Sequence, residues 1–84
     1  MADIERLIQK IPQGYSEASI NGRKYGISRS DFNNGNSLKV YAEELGGNDF
    51  ISFNFYKAST PLLKPCEMPQ EKVIAFLKAY AMNS

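Results

Sequence analysis

The chain has 84 residues, ten basic and nine acidic, for a net charge of +1, and is 43% hydrophobic and 12% aromatic. This fits one domain with a single core that buries about 60–65% of the unfolded surface, and it argues against disorder. The balanced charge argues against strong duplex DNA binding, which needs a basic surface, and the absence of histidine removes Ser-His-Asp and Cys-His nucleophile arrangements from the chain.

The N-terminal Met1-Ala2-Asp3-Ile4-Glu5-Arg6 has no signal-peptide pattern, and no apolar run approaches the roughly 20 residues of a membrane-spanning helix. A cytoplasmic protein without membrane contact is the expectation. Ile4, Leu7, Ile8 and Ile11 recur at helical spacing on one stripe, Asp3 is an N-cap candidate, and Pro12 and Gly14 end the helix.

From residue 15 the period changes to two. Ser16, Ala18 and Ile20 alternate with Tyr15, Glu17 and Ser19. Asn21-Gly22 predicts a two-residue hairpin turn, because both positions need positive φ. It would pair Ile20 with Arg23, Ala18 with Tyr25 and Ser16 with Ile27, which brings the less polar sides together. Asn34-Gly35 predicts a second hairpin, joining residues 25–31 to residues 38–45, where Leu38, Val40 and Ala42 oppose Lys39, Tyr41 and Glu43 across the strand. Gly46-Gly47-Asn48-Asp49 makes a third turn into residues 50–57, with Ile51, Phe53 and Phe55 on one side. Pairing Leu45 with Phe50 would set Ala42 opposite Phe53 and Val40 opposite Phe55.

Residues 58–60 read as a loop, and Leu62-Leu63-Lys64 is a candidate for an extra short edge strand before the last helix. Pro69 suits a first helical turn, where its missing N–H costs nothing. Val73, Phe76, Leu77 and Tyr80 form a stripe beside Ile74 and Ala81, while Glu71 and Lys78 agree with the helix dipole. The expected architecture is a two-layer α+β domain: a four-stranded antiparallel meander covered on one face by an N-terminal and a C-terminal helix.

Cys66 is the only cysteine, so no internal disulfide and no metal-type spacing exist, and neither metal nor cofactor is expected. Near the mouth of the last helix its thiol is a weak catalytic candidate, favoured by Lys64 and opposed by Glu67. A buried, inert side chain in a proline-rich corner is the preferred reading.

The outer sheet face is the stronger candidate. Alternation assigns to it Tyr15, Glu17, Lys24, Lys39, Tyr41, Glu43, Ser52, Asn54 and Tyr56, with Phe32 and Phe50 near turns. A purely solvated face would need fewer aromatic residues. Tyr41, Asn54, Tyr56, Lys39 and Lys24 are the candidate binding residues, for a protein or for stacked bases, although Lys39 opposite Tyr56 also reads as a plain cross-strand pair. Arg23-Lys24-Tyr25-Gly26-Ile27 is a loose match to an RNA-recognition strand without the β-α-β-β-α-β order of that fold, and reads as a hairpin strand. Glu43 and Glu44 point to opposite faces and cannot act together on one substrate; Glu44 faces the helices, where it can cap a helix or pair with Arg23 or Arg29. Gly46-Gly47 precedes a strand, so no helix-dipole phosphate site follows.

Several segments together resemble a family of short bacterial proteins of unknown function: Pro12-Gln13-Gly14-Tyr15-Ser16-Glu17, Gly22-Arg23-Lys24-Tyr25-Gly26, Ala42-Glu43-Glu44-Leu45-Gly46-Gly47, Ile51-Ser52-Phe53-Asn54, and Leu63-Lys64-Pro65-Cys66-Glu67-Met68-Pro69 with Lys72-Val73-Ile74. Some members carry the label peptide methionine sulfoxide reductase. The Gly-Cys-Phe-Trp motif of A-type reductases and the Arg-x-Cys-x-Asn setting of B-type enzymes are both missing, as is a second cysteine to resolve a sulfenic acid. The expected function is a non-catalytic binding module whose outer sheet face meets a protein partner or a second copy. Single-stranded nucleic-acid binding on that face and a thiol-dependent redox activity at Cys66 are the alternatives.

Overall fold

The apolar stripe at the N-terminus forms α1 (Ala2–Gln9) in a computed structural model that describes residues 2–57, 59 and 61–82. The side chain of Asp3, and with it the capping expectation, lies outside the described residues, as do Ala58 and Thr60 of the expected loop. Ile4, Ile8 and Ile11 are buried and Leu7 half-buried, so the stripe faces the core. After Gln9 the chain tightens: the N–H groups of Lys10 and Ile11 donate to the carbonyls of Leu7 and Ile8 at 3.2 and 3.0 Å before Pro12 ends the turn.

β1 (Gly14–Ile20) and β2 (Arg23–Phe32) meet through Asn21 and Gly22, at φ 54° and 80°, the paired positive values of a twist-matched hairpin turn. Ile20 lies opposite Arg23, Ala18 opposite Tyr25 and Ser16 opposite Ile27, as the turn requires. The next connection is longer than the Asn34-Gly35 dipeptide implies. Asn33, Asn34 and Gly35 all take positive φ (56°, 57° and 86°), and Phe32 pairs with Ser37 at the start of β3 (Ser37–Glu44). Asparagine tolerates the left-handed region and glycine adopts it freely, so Asn33, Asn34 and Gly35 extend the turn without a clash.

β4 (Phe50–Tyr56) is antiparallel to β3 but two residues out of the expected register. Ala42 faces Ile51 and Val40 faces Phe53. Leu45 does not pair with Phe50, because its N–H donates to the Lys24 carbonyl at 2.8 Å, while Glu44 N–H donates to the Asp49 carbonyl at 2.8 Å and closes the loop one residue earlier on each side. A shift of two preserves the face of every side chain, so the core is unaffected.

A fifth strand corrects the expected four. β5 (Leu62–Pro65) pairs antiparallel with β4, Leu63 opposite Phe55 and Pro65 opposite Phe53. An edge position allows a proline there. The sheet order is β1-β2-β3-β4-β5, an uninterrupted meander. α2 (Gln70–Met82) starts directly after Pro69, whose carbonyl accepts the Lys72 N–H at 3.1 Å.

One core lies between the sheet and the helices. Ile27, Val40, Phe53 and Phe55 from the strands meet Ile8, Ile11, Val73 and Leu77 from the helical segments, each at most 1% exposed. Burying each such side chain stabilises the fold by about 1.5–3 kcal/mol relative to exposure. α2 contacts β1, β4, β5 and α1, so both helices share one face and the other is uncovered among the described residues. Arg29 joins the layers: Nη1 donates to the Ile11 carbonyl at 2.6 Å, and Nε and Nη2 hold the Asp31 carboxylate at 2.9 Å each.

Candidate binding surface

Strand pairing lays the outer face out in rows. Tyr15, Ser28, Tyr41 and Ser52 run across β1 to β4, and the Cys66 N–H, donating to the Ser52 carbonyl at 2.9 Å, continues that row. Beside it run Ser30, Lys39, Asn54 and Lys64. The next row holds Phe32, Ser37, Tyr56 and Leu62. On the other flank lie Glu17, Gly26, Glu43 and Phe50.

Apolar groups remain accessible on both sides of the polar row. Tyr41 is 41% exposed, Tyr56 38%, Leu62 49% and Phe32 52%. Tyr41 and Phe50 lie 6.2 Å apart in a tilted stack, and the Lys72 ammonium sits 5.6 Å from the centre of the Phe50 ring, so the exposed Tyr41 has a fixed neighbour. Tyr15 rests over Gly26, where a Cβ would meet its hydroxyl at 2.5 Å, and that hydroxyl donates to Glu17 at 3.1 Å.

The five residues named from the alternation all lie on this face. Lys24 is engaged by Glu17 at 3.6 Å. Lys39 lies opposite Asn54 rather than Tyr56, which faces Ser37, so the expected Lys39–Tyr56 pair is replaced by the two-residue register shift. Lys39 and Lys64 flank Asn54, and neither forms an ion pair with the described residues. Leu62 joins the face without having been expected there; its four-residue strand is too short to show a period.

No protein-family model, curated protein or solved structure matches this chain. What the surface can do therefore rests on its geometry.

Cys66 does not go into the core. It is half-buried on the outer face, its Sγ 3.9 Å from the Asn54 amide nitrogen. The proline-rich corner expected around it is present: Pro65 ends β5, Pro69 precedes α2, and Glu67 between them has φ 60°, a left-handed value that L residues other than Asn and Gly adopt at a cost.

A second polar cluster sits on the helix side at the sheet end. The Tyr25 hydroxyl donates to Asp49 Oδ2 at 2.8 Å, and Lys72 Nζ contacts Oδ1 at 2.8 Å. The hydrogen bond from Lys72 and then that from Tyr25 hold the Asp49 carboxyl below its ordinary value of 3.8, whereas burial, followed by the bond to Asp49, raises the Tyr25 phenol above 10.0. The adjoining cleft, about 180 Å³ and lined by Ile20, Ile51 and Phe76 among others, is smaller than an ordinary ligand pocket. With its groups satisfied by one another, the cluster pins the β3–β4 loop to α2. Sequence patterns do not reveal it, because Asp49 lies in an aperiodic loop. Glu44 takes the partner expected of it, Arg23, at a loose 3.8 Å. Among the described residues no group of three or more acidic, cysteine or histidine side chains is placed to hold a metal ion, and no helix is long and apolar enough to cross a membrane.

Proposed function

We propose that this protein is a small non-catalytic binding module that meets a protein partner, or a second copy of itself, through the outer face of its sheet. One observation carries the reading: Tyr41, Tyr56, Leu62 and Phe32 stay exposed on a sheet face that no described element covers. Tyrosine supplies a large, stiff contact area with a polar tip, which suits a surface that is wet when free and buried when bound. The row of Lys39, Asn54 and Lys64 would supply orientation by hydrogen bonds and charge. Replacing both Tyr41 and Tyr56 with alanine should reduce partner capture, or self-association through this face, at least tenfold, as expected when central aromatic contacts are lost. The melting curve should hardly change, since both side chains are already solvent-exposed.

A second reading draws on the two lysines. Lys39 and Lys64 have no ion-pair partner among the described residues and lie between rows carrying Tyr41 and Tyr56, the alternation of charge and ring that suits single-stranded nucleic acid. That reading requires oligonucleotide binding that weakens as salt rises. No binding at low salt removes it. The resemblance to the short bacterial family adds no activity to either reading.

A further inference from the structure

The two sheet edges differ. β5 is four residues long, follows Pro61 and ends at Pro65, which protects it against strand addition. β1 is seven residues long, contains neither proline nor lysine, and pairs with β2 without a bulge. In a two-residue hairpin the closing pair, Ile20 and Arg23, bonds through both backbone groups. Ile20, Ala18 and Ser16 therefore bond toward β2, and Tyr15, Glu17 and Ser19 turn their N–H and C=O groups to the open edge. No hydrogen bond among the described residues uses those three N–H groups.

Ser16 supplies an independent observation. Its Oγ is buried on the helix side of β1 and is the one buried side-chain nitrogen or oxygen among the described residues without a hydrogen-bond partner. Leaving such a hydroxyl unsatisfied is costly.

We propose that β1 pairs antiparallel with β1 of a second copy about a twofold axis through Ser16, joining the two sheets edge to edge. Symmetry and the outward bonding of Tyr15, Glu17 and Ser19 leave three central registers. With Glu17 on the axis, two carboxylates face each other, which is unfavourable. With Ala18 on the axis, Ser16 lies opposite Ile20 and its hydroxyl stays unsatisfied. With Ser16 on the axis, the two Ser16 side chains form a close pair without backbone bonds between them, where a rotation about χ1 would swing each buried hydroxyl out to meet the other. Tyr15 then exchanges both backbone bonds with Glu17 of the second copy, on each side of the axis. This edge is separate from the outer face, and the Tyr41→Ala/Tyr56→Ala protein should still dimerise through it.

The test is backbone amide exchange by NMR on the full chain, from dilute to millimolar concentration, alongside sedimentation. The amides of Tyr15 and Glu17 should become protected as dimer forms, while Ser19, which in this register lies opposite Gln13 beyond the start of β1, and the even-numbered residues already bonded to β2 change little. Glu17→Pro removes one outward N–H and should abolish the dimer. Ser16→Ala should weaken it about fivefold, the effect of roughly one hydrogen bond. A chain that stays monomeric at millimolar concentration overturns the proposal. So does a dimer in which those two amides remain unprotected. The exchange pattern of the unaltered protein decides the matter even where a variant fails to fold.

Discussion

Arg29 shows how much one side chain can organise. It is 7% exposed, and its guanidinium satisfies a carboxylate on its own strand and the carbonyl that ends the α1 segment. Arg29→Ala would leave Asp31, the Ile11 carbonyl and Gln9 without that donor, and should cost about 1–3 kcal/mol in urea unfolding, the range for leaving hydrogen-bond partners unsatisfied. Asp49 makes a pH-dependent contribution. Its carboxyl is held below 3.8 in the folded protein, so the unfolded chain binds the extra proton first as acid is added. The stabilisation is therefore complete above the unfolded value near pH 4 and is lost as pH falls through the lower folded value. Unfolding curves from pH 6 down to about 2 should show a steeper loss for the natural protein than for Asp49→Asn, which keeps the shape but not the titration. At this scale the sequence is legible where a side chain's place follows from period two, as for Tyr41, Asn54 and Tyr56. It is not legible where partners come from distant segments, as for Tyr25 on β2, Asp49 in the β3–β4 loop and Lys72 on α2.

The elements were readable to the extent that local chemistry fixes them. Asn21-Gly22 admits one tight turn, and the β1–β2 register follows from it residue for residue. The five-residue β3–β4 loop has no such preference; its register is set by backbone bonds from Glu44 and Leu45 that depend on the folded sheet. β5 is legible only as a candidate short edge segment at Leu62-Leu63-Lys64, because four residues that follow Pro61 and end at Pro65 carry little pattern, and pairing with β4 makes it a strand. The corner from β5 into α2 is also a place to measure strain. Glu67→Gly at φ 60° should raise stability by roughly 0.5–1 kcal/mol, the left-handed penalty less the entropy that glycine adds to the unfolded chain. An unchanged or lowered midpoint in chemical denaturation would show that the corner carries no such strain.

As a whole, the molecule is asymmetric in how it uses its apolar residues. Both helices and the larger apolar side chains of the strands serve one face, and the other keeps aromatic residues in rows beside serine, lysine and asparagine. Alternation alone identifies that second face, because a strand side chain has only two directions to take. The occupant is not written there, since several chemistries can use tyrosine and lysine at this spacing. The most direct test is a side-by-side affinity capture from the native host with the natural protein and the Tyr41→Ala/Tyr56→Ala variant, both first shown to melt alike. We expect a defined set of proteins other than the chain itself on the natural protein and its loss from the variant. The same bound set on both would contradict it.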